Sequence, residues 1–395
     1  MSVPAATRTA TPNRPPLWRD VRVLRLAVQV VVVVAVGALL AYLYDNLQAN
    51  QRELDIPRGY DFLGRSAGFR IAYSDFAPGD TVWHALLVGL RNTVTVALVG
   101  IALTLVFGTL VGVARLSSNW LVRKAAGAYV EAVRNVPPLL VIIFVNSVAL
   151  TTLPPIDEAN EVAGGALLLS VREIGVVSLR DDGGAAAFAL VLLAGIVAGL
   201  AFGWWRVRHE AATGDPGHRW RWGGAAFAAV AVGGYLALGQ PVRLSYPEVV
   251  GRSVDGGIAM GLPFVSVLVG LVLYTTTHVA EIVRGSILSV PRGQTEAATA
   301  LGLSSGQRLR YVVLPQAFRV AVPPAVNQFL NLTKNTSLGV AVAYAETMYV
   351  TNTVIGNGNP AIQSILVAMG LYLVLSLAIS LVGNLASRRL RLVER

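Results

Sequence analysis

Eight apolar stretches leave this chain little freedom in what it can fold into. They cover residues 26–44, 85–114, 136–153, 184–204, 222–239, 261–283, 321–345 and 361–384. A helix needs about 20 such residues to cross a bilayer. In hydrocarbon every backbone N–H and C=O must be paired inside the protein, so segments of this kind form helices. Composition agrees, with 54% of the 395 residues hydrophobic and only 14% charged, against about 25% charged in a soluble domain. The expected fold is an all-α integral membrane protein with about eight transmembrane helices.

Charge placement sets an expected topology. The net charge of +10 would in a soluble chain raise the question of nucleic acid. Here the basic residues cluster beside the apolar stretches, which is the pattern of cytoplasmic loops. The clusters lie at Arg8–Arg25, Arg115–Arg134, Arg206–Arg221, Arg284–Arg319 and Arg388–Arg395. The alternate loops collect acids instead: Asp55, Asp61, Asp75, Asp80, Asp157, Glu158, Glu161, Asp181 and Asp182. Both termini are therefore expected in the cytoplasm, with no nucleic-acid partner. The stretch from Leu26 to Tyr44 exceeds a signal-peptide core of roughly 7–15 residues, and no small-x-small site follows, so it reads as an uncleaved anchor. Cysteine is absent, which excludes disulfides and thiolate chemistry. No HExxH pattern or phosphate-binding Gly-rich loop with its Lys-Ser/Thr occurs.

One cytoplasmic loop stands out, over residues 289–316. Gln294, Glu296, Ala297 and Ala298 lie in a run of good helix formers, and Glu296 adds negative charge near the start of that helix. Gly302 suits a left-handed helix end, Ser304 suits an N-cap, and Leu314-Pro315 is expected to break the second helix ahead of the next span. The small alanines would let this helix–turn–helix approach another protein closely; an ordinary interfacial loop has the same pattern. In the seventh stretch Asn327, Asn331, Lys334 and Asn335 share one helical face, followed by Thr336 and Ser337. A Lys at mid-membrane costs roughly 2.5–3.5 kcal/mol or more unless it faces protein or water. Two readings stand: a polar pathway lining with Lys334 near a substrate carboxylate, or a structural Lys334 paired with an acid such as Glu281. Glu131/Arg134 and Glu281/Arg284 form two Glu-x-x-Arg pairs near the cytoplasmic boundary, readable as structural ion pairs or as ligand contacts.

Glu296-Ala297-Ala298 with Gly302 and Leu314-Pro315 resembles the EAA loop of binding-protein-dependent ABC importer permeases. Around it, His278-Val-Ala-Glu281-Ile-Val-Arg284-Gly285-Ser286, Val290-Pro291-Arg292-Gly293-Gln294 and Asn331-Leu-Thr-Lys334-Asn335-Thr336-Ser337-Leu338 are similar to the polar amino-acid branch of those permeases. In the N-terminal half Gly89-Leu90-Arg91-Asn92-Thr93, Gly112-Val113-Ala114-Arg115 and Tyr129-Val-Glu131-Ala-Val-Arg134-Asn135-Val-Pro137 look the same. The resemblance covers about residues 84–150 and 258–395. The chain is longer than typical members, in the manner of the larger permease subunit of general L-amino-acid importers.

The resemblance implies a type I importer permease fold and a division of the chain. Residues 1–25 would be a cytoplasmic basic tail, 26–44 an extra helix, 45–83 a periplasmic segment, 84–388 the permease domain and 389–395 the C-terminus. An insert at about 154–257 would carry two extra helices. It further implies a transport subunit in a bacterial inner membrane and not an enzyme. Expected partners are an ABC ATPase, a second and distinct homologous permease, a periplasmic solute-binding protein, the lipid bilayer and an amino-acid substrate. This chain would bind no cofactor, ATP being held by the ATPase, and the EAA loop would be its coupling helix. The alternative is an ion-coupled secondary transporter in which Lys334 and Glu281 form a proton-coupled pair. An intramembrane enzyme finds no metal, dyad or nucleophile motif to support it.

Overall fold

The computed structural model describes residues 21–53, 59–181, 183–213 and 218–390. Most of the basic tail (including Arg8, Arg14 and Arg19), together with Asp55, Asp182, Arg391 and Arg395, lies outside these residues. The chain divides into two compact units, one of residues 1–62 with 360–363 and one of residues 63–359 with 364–395.

In the first unit, α1 (Val21–Glu53) is a 33-residue helix with valines and leucines exposed all round, such as Val33 at 70%. An apolar surface on every side is what a helix surrounded by lipid or by other helices presents. The second unit begins with α2 (Val82–Ala114), capped by the Thr81 hydroxyl, which accepts from the His84 N–H at 3.2 Å. Next come α3 (Trp120–Arg134) and α4 (Pro138–Thr152), bent by 105° at Pro137-Pro138. Neither proline donates a backbone hydrogen bond, and each disfavours helix in the residue before it.

Residues 154–261 are partly β structure. Strands β1 (Asn160–Val162), β2 (Leu167–Leu169), β3 (Glu173–Val176) and β4 (Ser178–Asp181) precede a hairpin of α5 (Ala185–Thr213) and α6 (Arg219–Ala237). After it come β5 (Val242–Ser245), β6 (Glu248–Val250), β7 (Ser253–Asp255) and β8 (Ile258–Gly261). β1-β2-β3-β8 form one antiparallel sheet, and β4-β5 and β6-β7 form two ribbons. The buried Glu173 carboxylate ties these pieces together, accepting from the Val254 N–H at 2.6 Å. β8 runs straight into α7 (Leu262–Leu288), so the sheet sits at that helix's first turn. The apolar composition of residues 154–257 did not announce these strands, because each is three or four residues long.

Beyond α7 lie α8 (Arg292–Ala300), α9 (Ser305–Arg308), α10 (Leu314–Asn335), α11 (Thr347–Gly356) and α12 (Ala361–Leu390). Among the described residues five helices are long and apolar enough to cross a membrane: α1, α2, α5, α7 and α12; the bent pair α3–α4 would make six. The expected count of eight is not reproduced. At 15 residues α4 spans about 22 Å, less than the roughly 30 Å hydrocarbon core. Helix α6 opens on Arg219 and Arg221 and is rich in Gly and Ala. The stretch 321–345 is not one helix, because α10 ends at Asn335 and gives way to a 3-10 turn, Thr336–Val342.

The centre of the second unit is the α2–α7 pair. Contacts at Gly100–Leu268, Gly108–Val279 and Gly112–Val283 advance together along both helices, so they run parallel. A Cβ on Gly108 would stand 2.5 Å from Val279 Cγ1, and one on Gly112 would stand 2.8 Å from the Ala280 carbonyl oxygen. Small residues let membrane helices approach this closely, where dispersion contacts are the chief attraction. Val96, Ala97, Ile142, Val267, Leu271, Leu332 and Tyr344 fill the core around this pair. Gly112→Ala meets backbone, which cannot swing aside, so it should cost about 1–3 kcal/mol through overpacking. A melting curve of the detergent-purified variant should show a lower midpoint; an unchanged midpoint would mean that the pair tolerates separation.

Candidate functional site

Helix α10 stops in the middle of the helical layer. Leu332 packs 3.3 Å from where a Gly100 Cβ would be, and Gly100 lies near the middle of the 33-residue α2. Three residues past Leu332 the helix ends, and the chain passes through the 3-10 turn to Ala343, which has a left-handed φ of 58°. Hydroxyls take over carbonyls at the end of the helix: Thr336 Oγ1 donates to the Thr333 oxygen and Ser337 Oγ to the Lys334 oxygen, each at 2.8 Å. Glu346 then caps α11, its carboxylate accepting from the Tyr349 N–H at 2.8 Å.

Irregular backbone at membrane depth survives only where protein or water satisfies it. Here α2 does so. Asn92 Nδ2 donates to the Ala345 oxygen at 2.8 Å, and Tyr344 OH donates to the Asn92 oxygen at 3.0 Å. The Thr347 N–H donates to Thr93 Oγ1 at 3.1 Å. Gly89 completes the seat, since a Cβ there would be 3.1 Å from Thr347 Cα. The Gly89…Asn92-Thr93 motif is thus the part of α2 that holds the break. Glu346 is fully buried and also accepts from Tyr372 OH. Sequence reasoning missed this acid, although a lone carboxylate inside the run Gly339–Val350 is a signal in its own right.

The polar face meets a cleft at the break. Asn327, Asn331 and Lys334 are exposed, and Asn335 and Ser337 are half-buried. Thr336 departs from the expected lining: it is fully buried and its hydroxyl is committed to backbone. The cleft, ≈ 490 Å³, is lined by Lys334, Ser337, Val340, Met348, Asn352 and Tyr372. Lys334 has no ion pair among the described residues. Tyr372 links the two layers, lining the cleft while donating to buried Glu346.

Glu281 is engaged elsewhere, which removes it as a partner for Lys334. One oxygen accepts from Arg284 Nε at 3.1 Å and Nη2 at 2.6 Å, and the other accepts from Arg115, the C-cap of α2. The neighbouring Ala280 contacts Gly112, twelve positions along α2 from Gly100, or about 18 Å at 1.5 Å per residue. Arg115, Glu281 and Arg284 thus form an ion-paired triad that joins the ends of α2 and α7. The Glu131/Arg134 pair does not form among the described residues, and both side chains are exposed. Glu131 instead borders a cleft of ≈ 400 Å³ with Arg115, Arg123, Lys124 and Arg284.

The loop after α7 is a helix, a turn and a second helix. α8 ends in a Schellman motif: the Leu303 N–H donates to the Ala298 oxygen at 3.1 Å and the Gly302 N–H to the Thr299 oxygen at 3.0 Å. Gly302 has φ +74°, and nothing lies within 4 Å of an added Cβ, so any substitution meets backbone strain and not a clash. Ser304 and Gln307 form a capping box for α9. Arg308 Nη1 reaches back to Thr299 Oγ1 at 2.9 Å, fixing the angle between the two short helices. Gln294, Glu296, Ala297 and Gly302 are exposed, with Leu301 at the tip 81% exposed, while Ala298 is buried against the loop itself.

Two local expectations change. Glu296 is the fifth residue of α8 and stands beyond its first turn, where the helix-end charge has largely decayed. Leu314-Pro315 does not break the helix. A π-helical turn, Leu309–Val313, carries α9 into α10, and Pro315 follows one residue beyond it, so its missing N–H falls where the helix changes pitch.

The cleft at the broken helix and the exposed helix–turn–helix belong to one helical unit, and comparison with known proteins gives its class. Residues 104–392 match the family described as "Binding-protein-dependent transport system inner membrane component", and the chain belongs to that family. It is 35% identical to the general L-amino acid transport system permease protein AapQ of Rhizobium johnstonii, over 93% of this chain and 92% of that one. It is also 35% identical to the putative amino-acid ABC transporter permease protein YhdX of Escherichia coli, over 93% and 94%. Among solved structures, an amino acid ABC transporter crystallised with histidines aligns with TM-score 0.45 and 16% identity, covering 78% of this chain and 94% of that one. The protein is thus an integral membrane subunit of an ABC importer family, and the ion-coupled alternative is left without support.

Removing the buried acid tests the site's architecture. Glu346→Leu strands the Tyr372 hydroxyl and the Tyr349 N–H, which should cost roughly 1–3 kcal/mol. The measurement is a thermal midpoint in detergent, with Glu346→Gln recovering part of the loss; equal midpoints for all three proteins would show that the carboxylate does not hold the break.

Proposed function

We propose that this chain forms part of the pathway of an ATP-driven importer of polar or general L-amino acids, in a bacterial inner membrane with both termini cytoplasmic. The observation that carries the proposal is Lys334: a mid-depth ammonium without an ion-pair partner, beside a cleft whose other polar groups are Ser337, Asn352 and Tyr372. An unpaired cation at that depth is costly unless an anion visits it. The carboxylate shared by all amino acids is such an anion, and the side-chain-neutral hydroxyls and amide around it accommodate a zwitterion. The names of the relatives, both amino-acid permeases, support the same substrate class.

The 289–316 loop is the proposed contact with a separate ABC ATPase, which would hold the ATP; this chain would contribute no cofactor and no catalysis. Leu301 at the tip supplies an apolar anchor, Gln294 and Glu296 supply polar ones, and Gly302 sets the angle of presentation. A second homologous permease would close the pathway, and a periplasmic solute-binding protein would deliver substrate at the end of the bundle that carries the sheet.

Uptake by the complete transporter in proteoliposomes is the test. Lys334→Met removes one charge-assisted contact, worth about 1.5–3 kcal/mol, so apparent substrate affinity should fall roughly 10- to 100-fold with ATPase association intact. Unaltered affinity would end the carboxylate assignment. Gly302→Val should instead weaken ATPase association and uptake together while membrane insertion stays normal. Uptake driven by an ion gradient with no ATPase present would overturn the whole reading.

A further inference from the structure

The α5–α6 hairpin carries a feature that the transport reading does not use. The two helices touch at Gly199 and Gly223, where a Cβ on either would lie 2.7 Å from the other's carbonyl oxygen. Beside this contact runs an apolar groove of ≈ 710 Å³, floored by Gly199, Gly203, Gly223 and Gly224 and walled by Trp204 and Trp220. Val207 and Trp220 also line an adjoining cleft of ≈ 550 Å³ that includes Glu210, His218 and Arg221, so the apolar groove opens directly onto a polar mouth. Around that mouth, which Glu210 and Arg221 line together, arginines outnumber acids. The Arg208 guanidinium lies 3.7 Å over the Trp204 ring, and Arg206 lies 5.4 Å from the centre of the Trp222 ring, its buried Nε without an acceptor. Residues 206–221 hold four arginines against Glu210 and Asp215.

We propose that this groove is a binding site for an anionic phospholipid, with an acyl chain on the glycine floor and the headgroup phosphate at Arg208 and Arg221. Three features select this occupant over generic bilayer contact. The surface is concave where an ordinary span is convex. Its apolar part ends in tryptophans, which favour the headgroup boundary. Beyond them stand arginines, which match phosphate in charge and geometry, and basic pockets between membrane helices are where anionic headgroups lodge. A protein helix seated in the same groove would have to bring acids to the basic mouth and is the competing outcome.

The test is native mass spectrometry of the full chain, purified in detergent with the subunits that accompany it, after addition of cardiolipin or phosphatidylcholine. Two variants separate charge from shape. Arg208→Gln with Arg221→Gln removes the headgroup contacts. Gly224→Leu fills the groove, and nothing lies within 4 Å of the added Cβ, so the hairpin still packs. The expected result is preferential retention of cardiolipin, reduced about tenfold or more in each variant, with thermal midpoints unchanged. Equal retention of both lipids, or cardiolipin retention untouched in either variant, overturns the proposal. So does a cross-link from Gly224→Cys to a second polypeptide in high yield, which would make the groove a subunit interface.

Discussion

Inside a bilayer a backbone amide has nowhere to turn except to its own protein, and this protein interrupts a helix at that depth. The interruption replaces the α-helical ladder with a 3-10 turn over Thr336–Val342 and leaves residues 343–346 outside any helix. Side chains that repair it come from fixed places: Asn92 and Thr93 on α2, the hydroxyls of Thr336 and Ser337, and the carboxylate of Glu346 at the start of α11. Because α2 must come this close, Gly89 has no side chain, and because α2 is held there, it lies against α7 along a row of glycines. The polar repairs and the tight packing are therefore two consequences of one break. The break also puts Lys334 beside a cleft at mid-depth, where a continuous helix would have carried it past.

The same helix ties that cleft to the exposed loop. From Ser305 the chain runs through the π-helical turn into α10 with no non-helical residue between, so the loop and Lys334 sit on one helical run, which carries Pro323 and Pro324. The loop end is stiffened by the capping box and by Arg308 on Thr299, and the neighbouring ends of α2 and α7 are joined by the Arg115–Glu281–Arg284 triad. Under the proposed function a push on the loop would reach the cleft along α10, with the π-helical turn and Pro323-Pro324 as the places where that helix can bend.

Much of this was legible in residues 289–338. The left-handed turn at Gly302 and the cap at Ser304 follow from local chemistry, because a glycine without a Cβ and a serine hydroxyl act within four residues of themselves. The pair Glu281/Arg284 is likewise local, one helical turn apart. Distance is what defeated the other readings. Glu281 also accepts from Arg115, which is 166 positions away in the chain, and nothing in either sequence neighbourhood says so. Thr336 looked like lining because it follows Lys334, yet the change from α-helix to 3-10 turn rotates it into the interior. Glu131 and Arg134 are correctly spaced but each has solvent or other charges to face.

The amino-acid sequence alone determined that this chain lives in a membrane and that it resembles an importer permease. It also determined where the loop turns, since hydropathy, charge bias and capping are properties of a residue and its near neighbours. The tertiary structure alone decided that one apolar stretch would be broken, that a buried glutamate would seat the break and that Lys334 would be left unpaired. Those outcomes depend on which distant helix offers a hydrogen bond at a given depth, and a partner of that kind exists only once the helices have packed.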